Sequence, residues 1–377
     1  MNKHIVVIGG GVTGLGIAVE AAKKGQRVTL VERATIGSGT SGSFHGILHS
    51  GTRYAVNEPD VASECYQENQ RLRQLVPDAI VDTGGMFVAM NDEEAHYADV
   101  IMQAAEKIGI PTHEIAIKEA FSREPQLNSA LKRAFLVPDA QIDGKKLLTY
   151  LQAQAKACSQ PVEFLEHHKV VGLGKSNNII TSVQLLDTQT DQTKQLSCDF
   201  VVNAAGVWSG RVAALADVNF SMVFDKGSMI VFKQKFNSMV INRCRPENDG
   251  DLLVPSSQDS ENDEGSIMGT TARIIVDPDE ATPTQEEVDS LLSDGSQMVP
   301  ALQNASVKRI YAGVRPLLQQ GGVTGIASTR SLSRSFQVLD HADQSVDNFI
   351  SVVGGKVTVY RLMAERAVEL LELSSTS

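Results

Sequence analysis

The sequence predicts an α/β protein in which a parallel sheet of the Rossmann type is joined to a second, antiparallel sheet with helices of its own. Three observations carry this expectation. Ile5 to Ile8 form a short β-branched run that suits a strand buried on both faces. "GGGVTG" follows at once, and "RVTLVER" then returns as a second strand. Far downstream, "SMIVFKQKF" and "SIMGTTARIIV" alternate or run apolar, as antiparallel strands do.

The N-terminal unit is the most specific. Gly9, Gly11 and Gly14 satisfy G-x-G-x-x-G, and "LGIAVEAAKKG" reads as a helix ended at Gly25. The first glycine permits the tight turn, the second lets a pyrophosphate approach the backbone, and the third lets helix and strand pack closely. Val12 and Thr13 open the helix, whose positive end would face the phosphates. Glu32 ends the second strand 18 residues after Gly14, where a carboxylate accepts ribose hydroxyls and repels a 2′-phosphate; Arg33 follows it. Strand, helix, strand and terminal acid together point to dinucleotide binding, without separating FAD from NAD.

Length and charge bound the rest. A chain of 377 residues with 42% hydrophobic content buries a sizeable core and suggests two domains or one large domain carrying an inserted one. A net charge of -11 argues against a general nucleic-acid binder, so an anionic ligand would need a local basic pocket. Cys65, Cys158, Cys198 and Cys244 lie far apart with no C-x-x-C, which predicts reduced thiols, no disulfide framework and no metal site. "IVVIGGG" is too short to span a bilayer and has no cleavage pattern, so neither secretion nor a transmembrane helix is expected.

After the fingerprint comes "IGSGTSGSFHGILHSGTRY", rich in Gly and Ser and too polar for a core strand. Such a loop lays backbone N–H groups and hydroxyls along an extended cofactor. With "HGILHSGTRYAV", "INRCRPENDGDLLVP", "GTT" at Gly269 to Thr271, "YAGVRPL" and "GGKVTVYRLMAE", the chain resembles the FAD-dependent glycerol-3-phosphate dehydrogenases, and within them the catalytic A-subunits of the anaerobic enzymes. These motifs run from end to end. The resemblance implies a glutathione-reductase-like FAD domain with an antiparallel-sheet substrate domain. It implies FAD contacts from Thr40, Ser41, His45, Gly46 and Leu48 in the loop, and from Val170 beside the adenine. It adds Ala205, Gly206 and Trp208 after the strand "VVNAAG", and Gly354, Gly355, Lys356 and Val357 at the turn before the last helix, whose N-terminus would face the flavin pyrimidine.

The cofactor domain is expected from residues 1–85, 140–215 and 325–377, and the substrate domain from 86–139 and 216–324. "TPTQEEVDSLLSDGSQMVP" reads as a helix with a Thr cap and Pro and Glu-Glu in its first turn. "SSQDSENDEG" reads as an exposed loop and the final "SSTS" as a frayed tail.

The same resemblance implies oxidation of sn-glycerol 3-phosphate to dihydroxyacetone phosphate, by hydride transfer from C2 to flavin N5. Arg53 and Arg315 match positions associated with the substrate phosphate, and a guanidinium suits bidentate binding of phosphate oxygens. The loop that delivers Arg53 also delivers Tyr54. Lys356 would meet the phosphate or the reduced flavin, and Lys226 and Thr271 would be rim contacts. Some relatives carry a histidine directly after Lys-Gly-Ser, where this chain has Met229; His49 is then the candidate base, with a structural histidine as the alternative.

Longer members of the anaerobic branch carry a C-terminal cysteine-rich segment suited to an iron–sulfur cluster, and this sequence stops soon after the last FAD helix, as a piece of a longer chain or a short form. Electrons would leave to a quinone, a dye-like acceptor, oxygen or a partner subunit. The expected location is cytoplasmic, with peripheral contact at the inner face of the cytoplasmic membrane as the one membrane association envisaged. A 2-hydroxy acid such as 2-hydroxyglutarate, or an amine, is the alternative substrate within this fold. A flavin-holding subunit inactive without partners is the alternative of another class. An NAD-dependent dehydrogenase fits worst, since it leaves the Gly/Ser loop and the Gly-Gly-Lys turn without a role.

Overall fold

The structure, a computed structural model, describes residues 3–256, 265–319 and 329–373. Most of the loop expected at 256–265 and the tail at 374–377 lie outside them. Strand β1 (His4–Ile8) is buried along its whole length. Helix α1 (Val12–Lys23) follows, and Gly25, with φ +80°, reverses the chain into strand β2 (Arg27–Val31). The β-branched run becomes a central strand because helices and a smaller sheet cover both its faces.

β1 pairs in parallel with β2 on one side and with Phe200–Asn203 on the other. Glu163–Leu165 extends the sheet in parallel beyond β2 and Phe349–Gly354 beyond Phe200–Asn203, with Phe336–Asp340 added antiparallel at that edge. On one face α1 packs with the helices Gly144–Ala157 and Tyr360–Leu373, sharing Leu15, Ile17, Leu147 and Ala364. On the other face the antiparallel sheet of His168–Ser176, Ile179–Asp187 and Thr193–Ser197 contributes Val170, Ile180 and Val183, which pack with Val6 and Phe349.

A second, nine-stranded sheet takes strands from Gly85–Ala89 to Val307–Leu318. It is antiparallel except where Val240–Arg243 runs parallel to Gly85–Ala89. The helix Gln285–Met298 seals one face with Val288, Leu291 and Met298 against Ile230, Phe232 and Met268. Thr284 caps that helix in a reciprocal capping box with Glu287, so the proline lies before the cap rather than in the first turn as expected. Among the described residues no helix is long and apolar enough to cross a membrane.

Candidate active site

A cavity of about 660 Å³ runs from the fingerprint turn to the second sheet, and residues of both sheets line it. At one end lie the residues of the βαβ unit. Gly9 has φ +110°, and a Cβ there would run into the backbone oxygen of Ala204; a Cβ on Gly14 would run into the oxygen of Gly9. These glycines exist because strand ends and helix approach within backbone contact. The N-terminus of α1 carries no capping side chain from Gly11 and no acid in its first turn, so its positive end is free to take an anion. Only the Ser41 hydroxyl, 2.9 Å away, accepts from the Val12 N–H. Glu32 accepts from the backbone N–H groups of Gly10 at 2.7 Å and Ala34 at 2.9 Å, which fixes its carboxylate at the cavity wall.

Arg33, next to Glu32 in sequence, stacks over the Trp208 ring at 3.7 Å. Asp279, from the turn Pro278–Glu280 that follows the second sheet's edge strand, accepts from Trp208 Nε1 at 2.9 Å and from Arg211 at 2.6 Å. Arg33, Trp208, Arg211 and Asp279 all line the cavity, so ion pairs from the second sheet's side clasp this end of it.

The Gly/Ser loop forms the middle. Thr40 donates to the carbonyl of Val314 at 2.9 Å, and Tyr311 donates to that of Phe44 at 3.1 Å. Gly313 has no side chain because a Cβ would press on Ser43 O at 2.6 Å. The strand that carries Arg315 is thereby docked directly on the loop that carries His45 and His49.

At the far end Arg53, Arg315, Arg330, Arg334 and Lys356 line the cavity, together with the carboxylates Glu247 and Asp251. Arg53 Nη2 donates to Asp251 at 2.7 Å while its Nη1 is buried with no partner. Arg315 donates to Asp225 at 2.6 Å and to the Thr270 hydroxyl at 2.6 Å, and Arg334 reaches the same Asp225 at 3.2 Å. Burial pushes Arg53 down, but Asp251 and Glu247 outweigh it and hold it above its ordinary value; for Arg315 burial prevails and pulls it below. Both remain guanidinium ions at neutral pH. Lys356 lies 4.3 Å over the Tyr54 ring and donates to the carbonyl of Arg334 at 2.8 Å; burial lowers its affinity for the proton.

His49 sits between these cations and the loop, its backbone N–H donating to the Thr358 hydroxyl at 3.2 Å and its ring edge-on to Tyr54 at 5.3 Å. Burial first, then His45, Lys356 and Arg53, hold its pKa well below the usual histidine range. Burial and the neighbouring Arg315 and Arg53 push His45 down to about 3, and its Nδ1 accepts from the Ile47 N–H at 3.3 Å. Both rings are therefore neutral at pH 7. Met229 faces the same cavity as a thioether and takes no part in proton transfer.

Several expected contacts fall elsewhere. Lys226 points away from the cavity and pairs with Glu287 at 2.8 Å, both side chains almost fully buried. Period two explains this, since Asp225 and Gly227 on the same strand face Arg315 and their neighbour faces the helix. The Thr271 hydroxyl donates to Glu287 at 2.8 Å on that far side, while the Thr270 hydroxyl and the Thr271 carbonyl accept from Arg315. Leu48 is wholly buried in the first core, and Gly46, with φ +80°, makes the turn between lining residues. Gly14 acts in packing rather than at the wall. The remaining expected cofactor residues, from Gly9 to Val357, line the cavity. The sequence alone does not point to Arg330, Arg334 or Glu247: the two arginines in "STRSLSRSF" carry no periodic signal, and Glu247 lies in a motif that assigns it no role.

Residues 4–355 match the family described as FAD dependent oxidoreductase. Over 371 residues, 98% of this chain, the sequence is 38% identical to the A-subunit of the anaerobic glycerol-3-phosphate dehydrogenase of Escherichia coli (strain K12), and it spans 66% of that relative's length. The fold is that of glycine oxidase from Geobacillus kaustophilus, with a TM-score of 0.76 and 21% identity over 99% of this chain and 95% of that one. It is also that of the glycerol-3-phosphate dehydrogenase from Bacillus halodurans complexed with FAD, with a TM-score of 0.72 and 23% identity over 100% of this chain and 65% of that one.

Proposed function

Since this chain belongs to the FAD-dependent oxidoreductase family, we propose that it oxidises sn-glycerol 3-phosphate to dihydroxyacetone phosphate. The observation that carries the reading is the far end of the cavity, where four arginines and a lysine converge beside a neutral histidine. A phosphate dianion is the ligand such a set of cations favours, and the buried, unpartnered Nη1 of Arg53 is a donor left for it.

The residues fit FAD along the whole cavity. The α1 N-terminus would hold the pyrophosphate, Glu32 the adenosine ribose and Val170 the adenine, with the loop at Thr40 to His45 and the turn at Gly354 to Val357 along the flavin. Bound there, the flavin supplies a two-electron acceptor for the substrate carbon. The chain's own part is to hold the substrate and move the proton. Arg53, Arg315 and Arg334 grip the phosphate, and Asp251 and Asp225 hold those guanidiniums in place. The ring nitrogens of His49 have no hydrogen-bond partner among the described residues, so the neutral ring is available to take the C2 hydroxyl proton. Electrons pass onward to a partner subunit or a quinone; the relative's designation as one subunit of its enzyme supports the former.

The test is formation of dihydroxyacetone phosphate from sn-glycerol 3-phosphate with an artificial dye acceptor, comparing wild type with Arg315→Lys. Lysine keeps a charge beside Asp225 and loses the planar two-handed grip. KM should rise about tenfold or more with FAD still bound. Equal KM values would remove Arg315 from the substrate site.

A further inference from the structure

Glu247 is the one carboxylate of the arginine cluster that makes no hydrogen bond with any described residue. Asp225, Asp249 and Asp251 each accept from a guanidinium at between 2.5 and 2.8 Å. Glu247 has only looser ion pairs, at 3.9 Å to Arg53 and 3.8 Å to Arg334. Its loop is held without it, because Asp251 accepts from Arg245 at 2.6 Å and from the Asn248 N–H at 2.7 Å. Burial would neutralise Glu247, yet Arg53, Arg334, Arg330 and Arg315 outweigh it and keep the group ionised. An ionised carboxylate thus faces the cavity with its lone pairs unused, in a pocket otherwise built for an anion. For anion binding alone it is a liability, so the cost calls for a compensating contact.

We infer that Glu247 reads the substrate's primary hydroxyl: with the phosphate on the arginines, the carboxylate accepts a hydrogen bond from the terminal hydroxyl of a polyol phosphate and repels any ligand bearing a second anion there. The inference rests on the phosphate assignment above and deepens it. It makes the pocket selective for a three-carbon polyol monophosphate over a phosphorylated acid such as 3-phosphoglycerate. Glu247 does no chemistry in this account; it sets which end group is tolerated.

Two ligands that cannot be oxidised at C2 separate the possibilities: propane-1,3-diol monophosphate, which keeps the terminal hydroxyl, and n-propyl phosphate, which lacks it. Binding to the FAD-loaded protein is read by calorimetry and by perturbation of the flavin spectrum. Wild type should prefer the diol monophosphate by roughly tenfold or more, as befits a hydrogen bond to a charged acceptor. In Glu247→Ala that ratio should collapse toward one, even though n-propyl phosphate itself binds more tightly once the negative charge is gone. Glu247→Gln, which changes little but charge, should admit 3-phosphoglycerate about tenfold better than wild type and serves if the alanine variant fails to hold FAD. A Glu247 that only supported the fold would move both ligands alike and leave their ratio unchanged, which would overturn the inference. Failure of wild type to bind either monoester would instead bring down the phosphate assignment, and this inference with it.

Discussion

At His49 two demands meet in one side chain. A histidine acting as general base must be unprotonated, and this ring is kept so first by its burial and then by His45, Lys356 and Arg53, beside which a further positive charge is costly. The direction fixes the pH dependence. With the pKa below 6.5, protonation of His49 begins only in more acidic solution, so kcat/KM should hold as pH falls through 6.5 and decline below it. An acidic limb centred at or above 6.5 would contradict this role. His49→Asn should lower kcat by roughly 10²- to 10⁴-fold while the flavin spectrum stays intact. A variant with unchanged kcat would leave His49 a structural histidine. Lys226 shows the opposite lesson, since its charge is spent on Glu287 inside the protein.

Among elements, the turn Pro278–Glu280 joins the two sheets across the cofactor end of the cavity. Asp279 binds Trp208 and Arg211 while Asp277 takes the second hand of Arg211 at 2.8 Å. These groups are about half exposed, so salt screens them. FAD release, followed by flavin fluorescence after dilution, should quicken about threefold between low and high salt, and Asp279→Asn should release it as fast at low salt as wild type does at high salt. A release rate indifferent to both would show that the clasp does not retain the cofactor. The elements that gate this end were unequally legible. β1, α1 and β2 follow from local periodicity and glycine chemistry within about thirty residues of sequence. The clasp did not, because Asp279 meets Arg33 across 246 positions and no local pattern encodes such a pairing. The same holds for Arg334 and Asp225, 109 positions apart. The orientation of Lys226 was lost for another reason: which face of a strand looks at the site is settled only when its partners are known.

On the scale of the whole molecule, a chain of net charge -11 gathers five cations, with the carboxylates that pair them, at one end of a cavity. A net acidic chain disfavours non-specific anion binding, so a phosphate needs a local cationic pocket such as this one. The parallel sheet presents the cofactor residues, the second sheet presents Arg315, the loop after its strand Val240–Arg243 presents Glu247, and the Gly/Ser loop fastens the two sheets together through Thr40 and Tyr311. The most direct measurement of this account is an anaerobic titration of the purified, FAD-loaded protein with sn-glycerol 3-phosphate, beside 2-hydroxyglutarate and glycine, following the flavin absorbance. Bleaching by the phosphate ester alone is the expected result. Bleaching by the hydroxy acid or the amine, with none by the phosphate ester, would contradict it.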